Sequence, residues 1–144
     1  MASFNTTGIR FFNFSGNSAI SAFARVTVDT NGNVQCAGPT ANDIGFLDLD
    51  VGPASATGSG NVPAAVRLKN CPGSRKGIAD TAITAWGYVY KSTTGYVTGA
   101  NGTAAFSANA VTIGFAAAIS GAPVAATGLG SVFEIIPGDG FPTG

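Results

Sequence analysis

The chain has 144 residues, of which 45% are hydrophobic and only 10% charged, and its formal net charge is zero. That length suits one domain with a real core. The charge balance argues against a nucleic-acid binder, which needs surplus Lys and Arg to displace counterions, and it removes the self-repulsion that keeps free-standing proteins apart.

Glycine, at 21 residues, disfavours long helices, because it costs about 1 kcal/mol against alanine in a helix interior. No stretch reaches the roughly 18 consecutive apolar residues of a membrane-crossing helix, so no membrane partner is expected. Residues 1–7 lack a charged segment followed by an apolar one, so no secretory signal is expected either. Cys36 and Cys71 are then expected as two reduced thiols.

Along the chain, residues 1–21 hold Phe4, Ile9, Phe11, Phe12 and Phe14 among Asn, Thr, Ser and Gly, with no clear strand pattern. They read either as a strand completing the core or as an extended arm burying its aromatics on a neighbouring subunit. The arm is the expectation taken, with those five residues as its contacts, because phenylalanine is enriched in interface cores. From Ala22 the pattern turns to period two: Ala22, Ala24, Val26 and Val28 alternate with Phe23, Arg25 and Thr27. Asn31-Gly32 supplies a hairpin turn, and Val34-Gln35-Cys36 the returning strand. A strand over 44–51 puts Leu47, Leu49 and Val51 on one face and Phe46, Asp48 and Asp50 on the other. Residues 53–61 read as loop, 64–70 as strand and 72–77 as a polar turn. Residues 78–84 and 87–91, then 96–98, 111–119 and 131–136, supply the remaining strands, with 121–130 a loop. The boundaries are an arm over 1–21, a β-domain over 22–136 and a tail over 137–144, with no internal repeat evident. The fold class is all-β, a compact β-barrel or sandwich with an extended N-terminal arm.

Chemistry is sparse. Histidine is absent, which removes the commonest general base and metal ligand, and no phosphate-binding glycine loop is present. Asp48-x-Asp50 could hold a hard cation, but such sites need six to eight ligands. The simpler reading pairs these carboxylates with Arg67-x-Lys69 on a neighbouring strand. Trp86, Tyr88, Tyr90 and Tyr96 read as core or subunit-contact residues. No catalytic residue, metal or cofactor is expected, and the chain is not expected to be an enzyme.

One stretch carries more. Gly77-Ile78-Ala79-Asp80-Thr81-Ala82-Ile83-Thr84 is followed by Trp86-Gly87-Tyr88-Val89-Tyr90 and then Thr94-Gly95-Tyr96-Val97-Thr98. Thr112-Ile113-Gly114-Phe115-Ala116 and Ser131-Val132-Phe133-Glu134-Ile135-Ile136 close the series. This order, covering under half of the chain, resembles the tailed-phage head decoration (capsid cement) proteins. The resemblance implies a β-barrel-like domain on the outside of an icosahedral shell, often trimeric, reinforcing the joints between capsomers. Its partners would be the major capsid protein and neighbouring copies of itself, and its location the outer capsid surface of a virion made in a host cytoplasm. The alternatives are another virion structural subunit (minor capsid, tail or fibre) and a carbohydrate- or receptor-binding β-module.

Overall fold

The computed structural model describes residues 8–39, 41–57, 60–69, 73–92, 95–99, 112–118 and 124–138. The protein is all-β, with antiparallel sheets and no α-helix among these residues. It divides into two compact units, Met1–Ala37 with Ala41–Pro72, and Gly38–Thr40 with Gly73–Gly144. This division differs from the arm, domain and tail boundaries read from the sequence.

The first unit holds β1 (Ile9–Phe14), β2 (Arg25–Val28), β3 (Val34–Cys36), β4 (Gly45–Leu47), a single 3-10 turn (Ala54–Thr57) and β5 (Val62–Leu68). They form one sheet in the order β1-β5-β4-β2-β3. Residues 9–14, expected in an arm, are thus a strand: Phe11 and Phe12 face Ala65 and Ala64 of β5, small residues that leave room for aromatic neighbours. The β2–β3 hairpin forms because Gly32 takes a left-handed φ of 82°, which its missing Cβ allows. Val26, Leu47 and Val66 are fully buried in this unit. The two edge strands meet at one parallel bridge, Asn13 to Asn33, and a separate antiparallel bridge joins Ile20 to Val51.

The second unit holds β6 (Arg75–Ile78), β7 (Ile83–Thr84), β8 (Tyr88–Lys91), β9 (Val97–Gly99), β10 (Thr112–Ala117), β11 (Val124–Ala126) and β12 (Val132–Pro137). Two expected loops are corrected here. Residues 75–77, read as a turn, belong to β6 because Lys76 pairs across to Glu134. Residues 124–126, read as loop, form β11 against β7. The main sheet runs β6-β12-β10-β8-β9, and its edges also meet at one parallel bridge, Ala79 to Val97.

These two orders are the same. In each, the five strands lie first, fifth, fourth, second, third, every ladder is antiparallel, and the first and third strands touch through one parallel bridge. The extra β7–β11 pair joins the same two connections that the Ile20–Val51 bridge joins in the first unit. The sequence reading, which found no repeat, is corrected by this topology. Among the described residues neither sheet closes into a barrel, its edges being joined by one bridge.

Candidate functional site

Among the described residues no three His, Cys, Asp or Glu side chains converge. The acidic pair resolves into structural contacts. Phe46 of β4 lies opposite Arg67 of β5, so Asp48, two residues on, reaches Arg67 diagonally, with N···O 3.6 Å in a half-exposed pair. Such a pair contributes little, about 0–1 kcal/mol. Asp50 instead accepts the Ala22 N–H at 2.6 Å. A cleft of about 500 Å³ in the second unit has small apolar walls, Ala117, Ala118, Val124 and Ala125 among them, and one carboxylate, Glu134. It lacks the several convergent polar groups of a substrate site.

Of the five contact residues proposed from the sequence, the four described ones differ in exposure. Phe4 lies outside the described residues. Phe14 is buried, its ring lying beneath Gly16. Ile9 and Phe12 are half-buried, and the Arg10 guanidinium sits 5.3 Å above the Phe12 ring. Phe11 alone points outward, 69% exposed.

The exposed aromatic surface that the sequence located less well belongs to the second unit. Strand β12 buries Phe133 and Ile135 and turns Val132, Glu134 and Ile136 outward. Ile136 faces Phe115 of β10, which faces Tyr88 of β8. The Tyr88 and Phe115 rings stack at 4.9 Å with a 38° tilt. The result is an apolar row across three strands, exposed at Tyr88 and Ile136. In the first unit the same register positions are Arg25, Phe46 and Arg67, and there Arg25 and Phe46 are buried. Tyr90, grouped with Tyr88 in the sequence reading, is a core residue. The signal for the row was present in Val132-x-Glu134-x-Ile136, an outward face with two large apolar residues where period two predicts polar ones.

Beside this row lies a strained turn. Trp86 has φ 63° and Phe23 of the first unit φ 70°, the two non-glycine residues with positive φ among those described. For a bulky side chain this conformation costs about 1–3 kcal/mol. Each is held by its own N–H, Trp86 donating to the Ala116 carbonyl and Phe23 to the Leu47 carbonyl, both at 2.8 Å. Trp86 recovers little by burial, since it is 59% exposed.

Two polar features stabilise the first unit. Arg25 is fully buried, donates to the Ala37 carbonyl at 3.0 Å and lies 3.7 Å from Asp43. Burial pulls its pKa below the ordinary value, and Asp43 opposes that. Burial likewise raises the thiol pKa of Cys36, a free cysteine, against the pull of Arg25. Cys71 lies outside the described residues.

In the β2–β3 turn, the Asp29 carboxylate accepts the Asn33 and Asn31 N–H groups at 2.9 and 2.8 Å. These bonds, the Asn33 N–H first, hold its pKa below the ordinary 3.8. A depressed folded pKa means the stabilisation is complete above the ordinary value and is lost as pH falls through the folded one. The Asn31 and Asn33 amide resonances are therefore expected to stay fixed from pH 7 to about 4 and to move only below that. Movement with a midpoint at or above the ordinary carboxylate range contradicts this role. No protein-family model and no curated protein matches the chain.

Proposed function

We propose that the chain is a structural virion protein that binds the outside of an assembled icosahedral phage capsid and stabilises it. The observation that carries this reading is the exposed apolar row Tyr88, Phe115, Ile136, with Trp86 beside it, on a chain of zero net charge. Contiguous exposed apolar surface of this kind marks an interaction site. The row lies within the stretch, Gly77 to Ile136, whose pattern resembles the decoration proteins. The partners are the major capsid protein and neighbouring copies of the chain, as a homotrimer on the shell.

Stabilisation follows from mass action. A protein that binds the assembled shell and not its free subunits favours the shell by about 2.7 kcal/mol per site at a hundredfold excess over Kd. A second reading, a carbohydrate-binding module, draws on the exposed rings of Trp86 and Tyr88. Their neighbours Phe115 and Ile136 are apolar rather than hydrogen-bonding, which favours a protein partner. Co-sedimentation with empty shells is the test. The chain is expected to pellet with assembled shells and to ignore dissociated capsid subunits. Equal binding to both, or to neither, overturns the proposal.

A further inference from the structure

The shared topology extends to individual residues. The β2–β3 hairpin pairs Val26 with Cys36, Thr27 with Gln35 and Val28 with Val34. The β8–β9 hairpin pairs Val89 with Gly99, Tyr90 with Thr98 and Lys91 with Val97, so each partner is shifted by 63 positions. The turn glycines, Gly32 and Gly95, have φ 82° and 83° and obey the same shift. Gly45 and Phe46 lie opposite β2 and β5 as Gly114 and Phe115 lie opposite β8 and β12. The sequence carries a faint echo of this. Ala19-Ile20-Ser21-Ala22-Phe23-Ala24 matches Ala82-Ile83-Thr84-Ala85-Trp86-Gly87, and Ile44-Gly45-Phe46 matches Ile113-Gly114-Phe115. Thr57-Gly58-Ser59-Gly60-Asn61-Val62 matches Thr127-Gly128-Leu129-Gly130-Ser131-Val132.

Phe23 and Trp86 occupy the same place in this scheme. Each is the third residue of a four-residue turn, closed by Ala24 N–H to the Ser21 carbonyl at 3.3 Å and by Gly87 N–H to the Thr84 carbonyl at 3.1 Å. A left-handed third residue is the glycine position of a type II turn. This chain does place glycine at other left-handed positions, Gly8, Gly32, Gly60, Gly73, Gly95 and Gly130. At 23 and 86 it keeps a large aromatic ring in both units, against the backbone preference. Trp86 leaves that ring 59% exposed, and Phe23 is half-buried, so a ring kept twice at a strained, matching position retains surface for a contact outside the fold.

We propose that the chain is a duplicated module with two contact sites at matching positions, the exposed Trp86 and the half-buried Phe23, and that its partner presents the complementary apolar pocket in repeated copies. A shell built from many copies of one subunit meets that requirement, so the proposal rests on the decoration reading and deepens it. Two linked sites gain avidity, and removing one returns the chain to single-site binding.

The test uses the full chain with Phe23→Gly, Trp86→Gly and the double substitution, against empty capsid shells. Glycine relieves the left-handed strain, so melting temperatures are expected to stay level or rise. Each single change is expected to weaken shell binding by roughly 100-fold, and the double change to abolish it. Trp86 is the sole tryptophan, so its emission is expected to shift to the blue when the wild-type chain binds. Wild-type chain that fails to pellet with shells defeats the decoration reading itself. Wild-type chain that pellets with unchanged emission, or single variants that bind within twofold of it, overturns only the two-site inference. A lower melting temperature in either glycine variant assigns that ring to the fold and overturns it too. A concentration-dependent blue shift without shells names a second copy of the chain as the occupant, which also counts against a repeated shell site.

Discussion

Gly114→Ala is expected to lower the melting temperature by roughly 10 °C. Gly114 lies in β10, between β12 and β8. A Cβ there would overlap the Ile136 carbonyl oxygen and come within 2.8 Å of Ile135 Cγ2. The obstacle is mainly ladder backbone, which cannot rotate aside, so the strands must part. Overpacking of this kind costs about 1–3 kcal/mol and occasionally more. At the upper end, and a few degrees per kcal/mol for a chain of this size, the shift follows. Gly45→Ala meets the Arg67 carbonyl oxygen in the same way and is expected to behave alike. Gly128, with open space where its Cβ would stand, is the control and should change little on Gly128→Ala. Thermal unfolding by circular dichroism reads all three. A Gly114→Ala protein within about 2 °C of the parent contradicts the close packing of β10 on β12.

Asp43→Ala is expected to be more damaging still. It removes the carboxylate 3.7 Å from Arg25, a guanidinium with no solvent exposure. Taking one partner from a buried ion pair costs about 3–5 kcal/mol, because the remaining charge stays desolvated. Denaturant titration should show that loss as a lower midpoint at constant slope. Replacing both members, Arg25→Met with Asp43→Leu, is expected to recover most of it, since an apolar pair of similar volume needs no compensating charge. A single Asp43→Ala change costing under about 1 kcal/mol would show that the other contacts of Arg25, the Ala37 carbonyl among them, satisfy it.

Much of the fold was legible in local pattern. Asn31-Gly32 announced its hairpin, and the alternation through Val132–Ile136 announced β12, because both signals depend on residues close in sequence. Where two faces of a strand are covered, period two misleads. Arg25 and Val26 are adjacent and both buried, as are Phe46 and Leu47, while Leu49, expected beside Leu47, lies past the end of β4 and is exposed. The aromatic segment 9–14 showed no alternation because β1 carries phenylalanine on both faces against small residues of β5. The repeat was hidden by its own spacing. Val34 and Val97 differ by 63 positions but Ile44 and Ile113 by 69, so a fixed period loses register between the third and fourth strands. Half of the identical residues in the matched segments are Gly or Ala, which this chain uses everywhere. The exposed row Tyr88, Phe115, Ile136 depended on three strands meeting in one register, and that information is not local.

The reading of this chain as a stabiliser of an assembled shell is tested most directly by the temperature at which empty capsid shells come apart as the chain is added. The disassembly temperature is expected to climb with chain concentration and to level off when the sites on the shell are filled, as linkage to the assembled state requires. Shells that fill with chain and still come apart at their original temperature would contradict it.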